Sequence, residues 1–114
     1  MSNLVPPHGA DLLKPLLLPK AERTEEAHRA SRLKQVPLSS REVSDLLMLG
    51  MGAYTPLNGF MGEADWRGCC EHMMLADGVF WPIPITASCT QELGDSISVG
   101  EDVALVDGKI GELL

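Results

Sequence analysis

The clearest helical pattern along the chain runs from residue 66 to residue 74. Its apolar positions fall at i, i+3, i+4, i+7 and i+8, and they are Trp66, Cys69, Cys70, Met73 and Met74. Since this spacing places side chains on one face of a helix with 3.6 residues per turn, it predicts an amphipathic helix that buries this face.

A second helix is predicted to begin at Ser39. The sequence Ser39-Ser40-Arg41-Glu42 fits a capping box, in which the cap hydroxyl and the Glu42 carboxylate each bond the other residue's amide. Apolar residues follow at steps of three and four, and Gly50 and Gly52 supply the backbone freedom that ends the helix after about three turns. Residues 24–34 carry only a thin apolar stripe and predict a lightly packed surface helix.

The last quarter of the chain has short apolar runs separated by turn residues. Residues 85–90 alternate between apolar and polar, and strand candidates follow at 97–99, 103–106 and 110–114. Asp107-Gly108 is typical of a two-residue type I′ hairpin. Helices followed by antiparallel strands predict an α+β fold whose sheet curls toward a small barrel. Because the sequence reaches residue 114 within a strand pattern, we expect a barrel truncated at its C-terminal end.

Composition and charge exclude several classes of protein. With 114 residues, 45% of them hydrophobic and 22% charged, the chain fits one folded domain. Nine Lys and Arg against sixteen Asp and Glu give a formal charge of -7, which disfavours nucleic acid and acidic membranes as partners. The chain lacks a secretory signal pattern and any apolar run near the ~20 residues that span a bilayer, so we expect a cytoplasmic protein with no membrane partner.

Cysteines and glycines offer no clear chemistry. We expect Cys69, Cys70 and Cys89 to be reduced, buried thiols, because free cysteine behaves as a small apolar residue. The sequence Gly50-Met51-Gly52 resembles part of a dinucleotide loop, but Thr55 stands where the third glycine is needed and a helix precedes it. A helix end and a turn are the simpler interpretation.

Histidines, tryptophans and carboxylates likewise favour structural roles. His8 and His28 have no acidic or thiol partner at the spacing of metal ligands, and His72 is expected at the solvent edge of its helix. Gly9 is interpreted as a turn residue, and the two tryptophans, Trp66 and Trp81, as core residues and not as a shelf for a ligand ring. Glu63 and Asp65 would complement a helix dipole, and Asp77 would form a turn. We therefore expect no catalytic, cofactor-binding or metal-binding residue.

Three segments in order carry a family resemblance. They are LVPPHG at 4–9, VPLSSREVSDLLMLGMGAYTPLNGFMGEADWR at 36–67, and LADGVFWPIPIT at 75–86. Together they resemble the N-terminal region of the ATP sulfurylase (sulfate adenylyltransferase) family, and ISVGEDVALVDGKIGELL resembles the strand pair that follows there. The resemblance implies that residues 1–114 form a single, incomplete PUA-like β-barrel with N-terminal helices, and that the catalytic domain is absent from this chain.

The same resemblance implies what the chain lacks. Enzymes of that family join ATP and sulfate into adenosine 5′-phosphosulfate and pyrophosphate, usually with magnesium, through Q-x-R-N and H-x-x-H segments of the second domain. Here Gln35 and Gln91 begin other sequences, and the three histidines are too far apart for H-x-x-H.

The resemblance therefore implies a non-catalytic domain without a cofactor of its own. Its partner would be the catalytic domain of the same polypeptide, which alone would bind ATP, sulfate and magnesium, and homo-oligomer contacts are a further expectation. The alternative is a stand-alone, acidic binding module with the same barrel, which recognises a protein or a small ligand without catalysis.

Overall fold

The computed structural model describes residues 5–114 and contains both helices and strands. In chain order they are α1 Lys20–Ala30, β1 Gln35–Leu38, α2 Ser40–Gly50, α3 Glu63–His72, α4 Gln91–Ser96 and β2 Ala104–Asp107. Leu4 of the LVPPHG segment lies outside the described residues. The backbone divides into two compact units: unit 1 holds residues up to 17 and 45–86, and unit 2 holds 18–44 and 87–114.

Helix α2 has the predicted start, length and end. The Glu42 amide donates to Ser39 Oγ at 3.3 Å, and the Ser39 amide donates to Glu42 Oε1 at 2.9 Å. After 11 residues the helix ends in a turn in which Gly52 has a φ of 82° and the Ala53 amide donates to the Met48 carbonyl. The capping box and the glycine-ended helix are therefore confirmed.

Unit 1 is built around a small apolar core. Leu49, Leu57, Leu75 and Ile85 are buried together, and five partly buried side chains pack against them: Tyr54, Phe60, Met61, Val79 and Trp81. The Met61 amide donates to the Ile85 carbonyl at 2.8 Å, and this bond connects distant parts of residues 45–86. This core fixes the turns between α2 and residue 86.

Helix α3 differs from its predicted form. It ends at His72, because Met73 adopts a left-handed conformation with a φ of 54°. Of the predicted apolar face only Cys69 is buried, and Cys70 is exposed. The exposed fractions of the other three residues are 43% for Trp66, 54% for Met73 and 40% for Met74. The expected buried face is therefore wrong: Met73 and Met74 come after the end of the helix, and Trp66 and Cys70 lie within it but are not covered by other described residues.

Unit 2 contains a two-stranded parallel sheet. Strand β1 pairs with β2 in the register Gln35↔Ala104 to Leu38↔Asp107, and the two strands bury Val36, Leu38, Ala104 and Val106. The sequence indicated a strand at 103–106, which overlaps β2, but it did not indicate β1 or the parallel pairing, which the long connection through 39–103 allows as a crossover. The α+β content is confirmed, and among the described residues the strands do not form an antiparallel barrel.

The predicted strands around β2 also take other forms. Residues 85–90 and 97–99 are not strands, and α4 forms between them with Thr90 Oγ1 accepting from the Leu93 amide at 3.2 Å. The Asp107-Gly108 turn is wider than a two-residue hairpin, since the Gly111 amide donates to the Asp107 carbonyl at 2.7 Å. After this turn the chain returns through a single antiparallel bridge between Val106 and Leu113.

Helix α1 is a surface helix, as predicted, although it begins at Lys20 and has no buried residue. Its Arg29 donates to Glu26 at 3.2 Å and to Asp102 at 3.1 Å, and these contacts raise the pKa of the guanidinium. Within residues 5–114 we find no helix with the length and hydropathy required to cross a membrane.

Candidate functional site

Unit 1 carries an open, mostly apolar groove of about 420 Å³. We call it the aromatic groove. Ten residues line it: Pro7, His8, Leu13, Gly52, Ala53, Thr55, Phe80, Trp81, Pro82 and Ile83.

One wall of the groove is formed by the segment around His8. Its Nε2 donates to the Phe80 carbonyl at 2.5 Å, and its ring lies 6.4 Å from the Phe80 ring and 6.2 Å from the Trp81 ring, between centroids. Gly9 has a φ of +67° and forms the predicted turn, in which the Ala10 amide donates to the Pro7 carbonyl. A Cβ at Gly9 would lie 2.9 Å from Val79 Cγ1, so the turn also needs glycine for its close approach.

Trp81 lines the groove next to His8, and several contacts hold it in place. Its Nε1 donates to the Ile83 carbonyl at 2.6 Å, its amide donates to the Met73 carbonyl at 2.8 Å, and its ring meets Tyr54 edge-on at 5.8 Å. Trp81 packs against the unit 1 core, as the sequence predicted. The same prediction for Trp66 is wrong, because that side chain stays 43% exposed.

Hydrogen bonds beside the groove connect the N-terminal segment to the end of α2. The Lys14 amide donates to Thr55 Oγ1 at 3.0 Å, while the Thr55 hydroxyl donates to the Gly52 carbonyl at 2.7 Å. The Leu16 amide donates to the Gly50 carbonyl at 3.0 Å. The Gly50-Met51-Gly52 sequence therefore forms a helix end and a turn, as predicted, and it also supports this segment, which the sequence did not indicate.

The groove can bind apolar groups but has little reactive chemistry. Leu13, Phe80 and Ile83 expose 62%, 56% and 57% of their surface, and His8 is the one titratable side chain in the lining. An exposed, contiguous set of large apolar side chains is typical of an interaction surface.

A second concavity of unit 1, of about 460 Å³, is more polar but its carboxylates have structural partners. Asp65 Oδ1 accepts from the Ala76 amide at 2.8 Å, and Asp77 Oδ1 accepts from the Val79 amide at 3.1 Å. The turn role of Asp77 is confirmed. Asp65 lies in the first turn of α3, as predicted, and its bond to Ala76 is an addition that the sequence did not indicate.

The cysteines and histidines form no metal site within residues 5–114. All three cysteines are free, but only Cys69 is buried, so the expected burial of Cys70 and Cys89 is wrong. Burial and the neighbouring Cys70 raise the pKa of the Cys69 thiol. His72 is exposed, as predicted, and lies 3.9 Å from a Glu71 oxygen.

Glu42 in unit 2 is the most buried carboxylate of the described residues, with 3% exposure. Besides the capping bond, its Oε2 accepts from the Ser88 amide at 2.5 Å and from the Ser88 hydroxyl at 3.2 Å. Burial raises the pKa of Glu42, but the bonds from Ser39 and Ser88 outweigh it and the net pKa is lowered. The capping box indicated the first partner, whereas no sequence signal indicated Ser88.

The comparison with protein families gives one match over nearly the whole chain. The PUA-like domain family matches residues 5–114, so the chain belongs to that family.

Two curated relatives with high sequence identity to this chain are the same kind of enzyme. The sulfate adenylyltransferase of Syntrophobacter fumaroxidans is 57% identical over 115 residues, which cover 100% of this chain and 28% of the relative. The sulfate adenylyltransferase of Chlorobaculum tepidum is 58% identical, with 97% and 28% covered. The chain thus spans about 28% of the length of these relatives, and its resemblance to their family is confirmed.

A solved structure is also similar to this chain. It is described as a hexameric APS kinase from Thiobacillus denitrificans, it is 38% identical, and its TM-score is 0.81. The match covers 97% of this chain and 22% of that one.

Proposed function

We propose that this chain is the non-catalytic N-terminal domain of a sulfate adenylyltransferase. The observation that carries the proposal is the pairing of high identity with partial coverage: sulfate adenylyltransferases are 46% to 58% identical over nearly all of this chain, which spans about 28% of their length. The parent enzyme would form adenosine 5′-phosphosulfate and pyrophosphate from ATP and sulfate.

In this proposal the chemistry belongs to the rest of the polypeptide. The aromatic groove offers one imidazole, already bonded to a carbonyl, and no paired acid and base. ATP, sulfate and magnesium would bind through the catalytic domain, and residues 1–114 would supply packing surface. The sheet of β1 and β2 would belong to a PUA-like barrel that is incomplete in residues 1–114.

Oligomer formation is a further part of the proposal. The similar solved structure is described as hexameric. Exposed apolar side chains such as Leu47 and Met51, at 60% and 64% exposure, provide surface that subunit contacts could bury.

The test is an assay for sulfate-dependent release of pyrophosphate from ATP with magnesium. We expect the 114-residue chain to release none, and a full-length polypeptide that begins with this chain to release it. Circular dichroism of the short chain, run in the same buffer, shows whether inactivity accompanies a folded domain. Turnover by the short chain alone would contradict the proposal. A partner protein captured by an inactive short chain with no natural extension would favour the stand-alone module.

A further inference from the structure

The aromatic groove joins exposed apolar side chains to a fixed scaffold. Phe80 and Ile83 are more than half exposed, yet the Trp81 ring between them is held by a bond to the Ile83 carbonyl and by the Tyr54 ring. The His8 side chain also donates to the Phe80 carbonyl. A surface that is already ordered loses little conformational entropy when a partner covers it, which favours binding there.

The chemistry of the lining limits what the groove can receive. Pro7 and Pro82 have no amide hydrogen, and the Phe80 carbonyl already accepts from His8. The groove therefore offers few backbone groups for an added strand, and apart from His8 it has no charged or titratable lining residue. Its occupant should contribute apolar side chains, which are stabilised by burial.

The size of the groove favours an occupant from the same polypeptide over a separate protein. Stable complexes between separate proteins use roughly 20–30 residues on each side, and ten residues line this groove. A small contact suffices when both parts belong to one polypeptide, because the linker keeps the effective concentration high. In the curated relatives, the part that matches this chain is joined to more than twice as much further polypeptide.

We infer that the aromatic groove receives an apolar segment from the catalytic part of the same polypeptide. The inference rests on the proposed function and adds the surface through which the two parts meet. In the assembled protein Phe80, Ile83 and Leu13 are covered, although each is exposed in residues 5–114 alone.

Thiol labelling of the full-length polypeptide tests the inference. Ile83→Cys and Leu13→Cys place thiols in the groove, and Val99→Cys is the matched control, because Val99 is fully exposed and does not line the groove. N-ethylmaleimide labelling is followed by peptide mass spectrometry, which separates these sites from the native cysteines. We expect both groove sites to react at least about tenfold more slowly than the control, and at the control's rate in urea.

Two outcomes would overturn the inference. Groove thiols that react as fast as the control show an open groove, and protection that appears only as protein concentration rises shows a second copy as the occupant. The same samples are assayed for sulfate-dependent pyrophosphate release. Turnover with an unprotected groove rejects this inference alone, whereas absence of turnover from the unmodified full-length protein rejects the proposed function.

Discussion

Glu42 and Ser88 are joined across 46 positions of sequence by two hydrogen bonds to one carboxylate oxygen. The Ser88 amide donates at 2.5 Å and its hydroxyl at 3.2 Å, while the other oxygen caps α2 through Ser39. A single buried side chain therefore serves both the start of a helix and the segment that precedes α4. Its removal leaves the part-buried amides of Ser39 and Ser88 without this acceptor.

Glu42→Gln should lower the free energy of unfolding by about 1–3 kcal/mol, because an amide cannot accept at both oxygen positions. Urea denaturation followed by circular dichroism measures the change. Glu101→Gln is the control, since the Glu101 carboxylate also accepts from a backbone amide, that of Ser98, and its ion pair with Lys34 at 3.4 Å is near the surface, with the Glu101 side chain 30% exposed. Equal losses for the two variants would contradict a special role for the buried carboxylate.

The stability of unit 2 should depend on pH through Glu42. Its pKa in the folded state is lowered below the ordinary value of 4.5. A carboxyl group of this kind stabilises the fold above its unfolded pKa, and the contribution is lost as pH falls through the folded pKa. The free energy of unfolding should therefore decline from about pH 5 downward, and less steeply in Glu42→Gln. Urea titrations at several pH values would refute this if both slopes were the same.

Two helical glycines should respond to alanine in opposite directions. A Cβ at Gly68 in α3 would clash with the Met74 carbonyl oxygen, so Gly68→Ala should destabilise by about 1–3 kcal/mol. Gly50 at the end of α2 has open space at its Cβ, and Gly50→Ala should stabilise by up to about 1 kcal/mol. Thermal unfolding of both variants measures the contrast. A stable Gly68→Ala would show that the turn after α3 can open at little cost.

The three cysteines should differ in reactivity. Cys70 and Cys89 are exposed, whereas Cys69 is 2% exposed and its thiol has a raised pKa because of burial. Iodoacetamide at neutral pH should modify the first two and leave Cys69 unmodified until the protein is unfolded. Peptide mass spectrometry of the native protein would contradict the structure if Cys69 reacted as fast as Cys70.

Local signals in the sequence predicted the parts of the fold that depend on local bonds. The Ser39 and Glu42 cap, the Gly52 helix end and the Asp77 turn each involve residues within a few positions of one another. The pairing of Val36 with Leu105 and the contact of Glu42 with Ser88 depend on distant segments, and no periodic pattern indicates them. Met73 shows a second limit of sequence patterns. The helical spacing of apolar residues continues through Met73, but the left-handed backbone of this residue ends the helix.

The aromatic groove was only partly predictable for the same reason. The sequence predicted a turn at Gly9 and a core position for Trp81, and the structure supports both. It did not predict that the two lie close together, because this depends on the bond between His8 and the Phe80 carbonyl, which are 72 residues apart. The expectation of no catalytic residue in this chain stays a prediction.

The measurement that tests the central claim most directly is the intact mass and sequence of the native polypeptide that contains this chain. If this 12.3 kDa chain spans 28% of its polypeptide, as it spans 28% of the Syntrophobacter fumaroxidans relative, that polypeptide has a mass of about 44 kDa, from 12.3 divided by 0.28. We predict a polypeptide near that mass, or larger, with Q-x-R-N and H-x-x-H segments after residue 114. A native polypeptide of 12.3 kDa that ends at Leu114 would contradict the account.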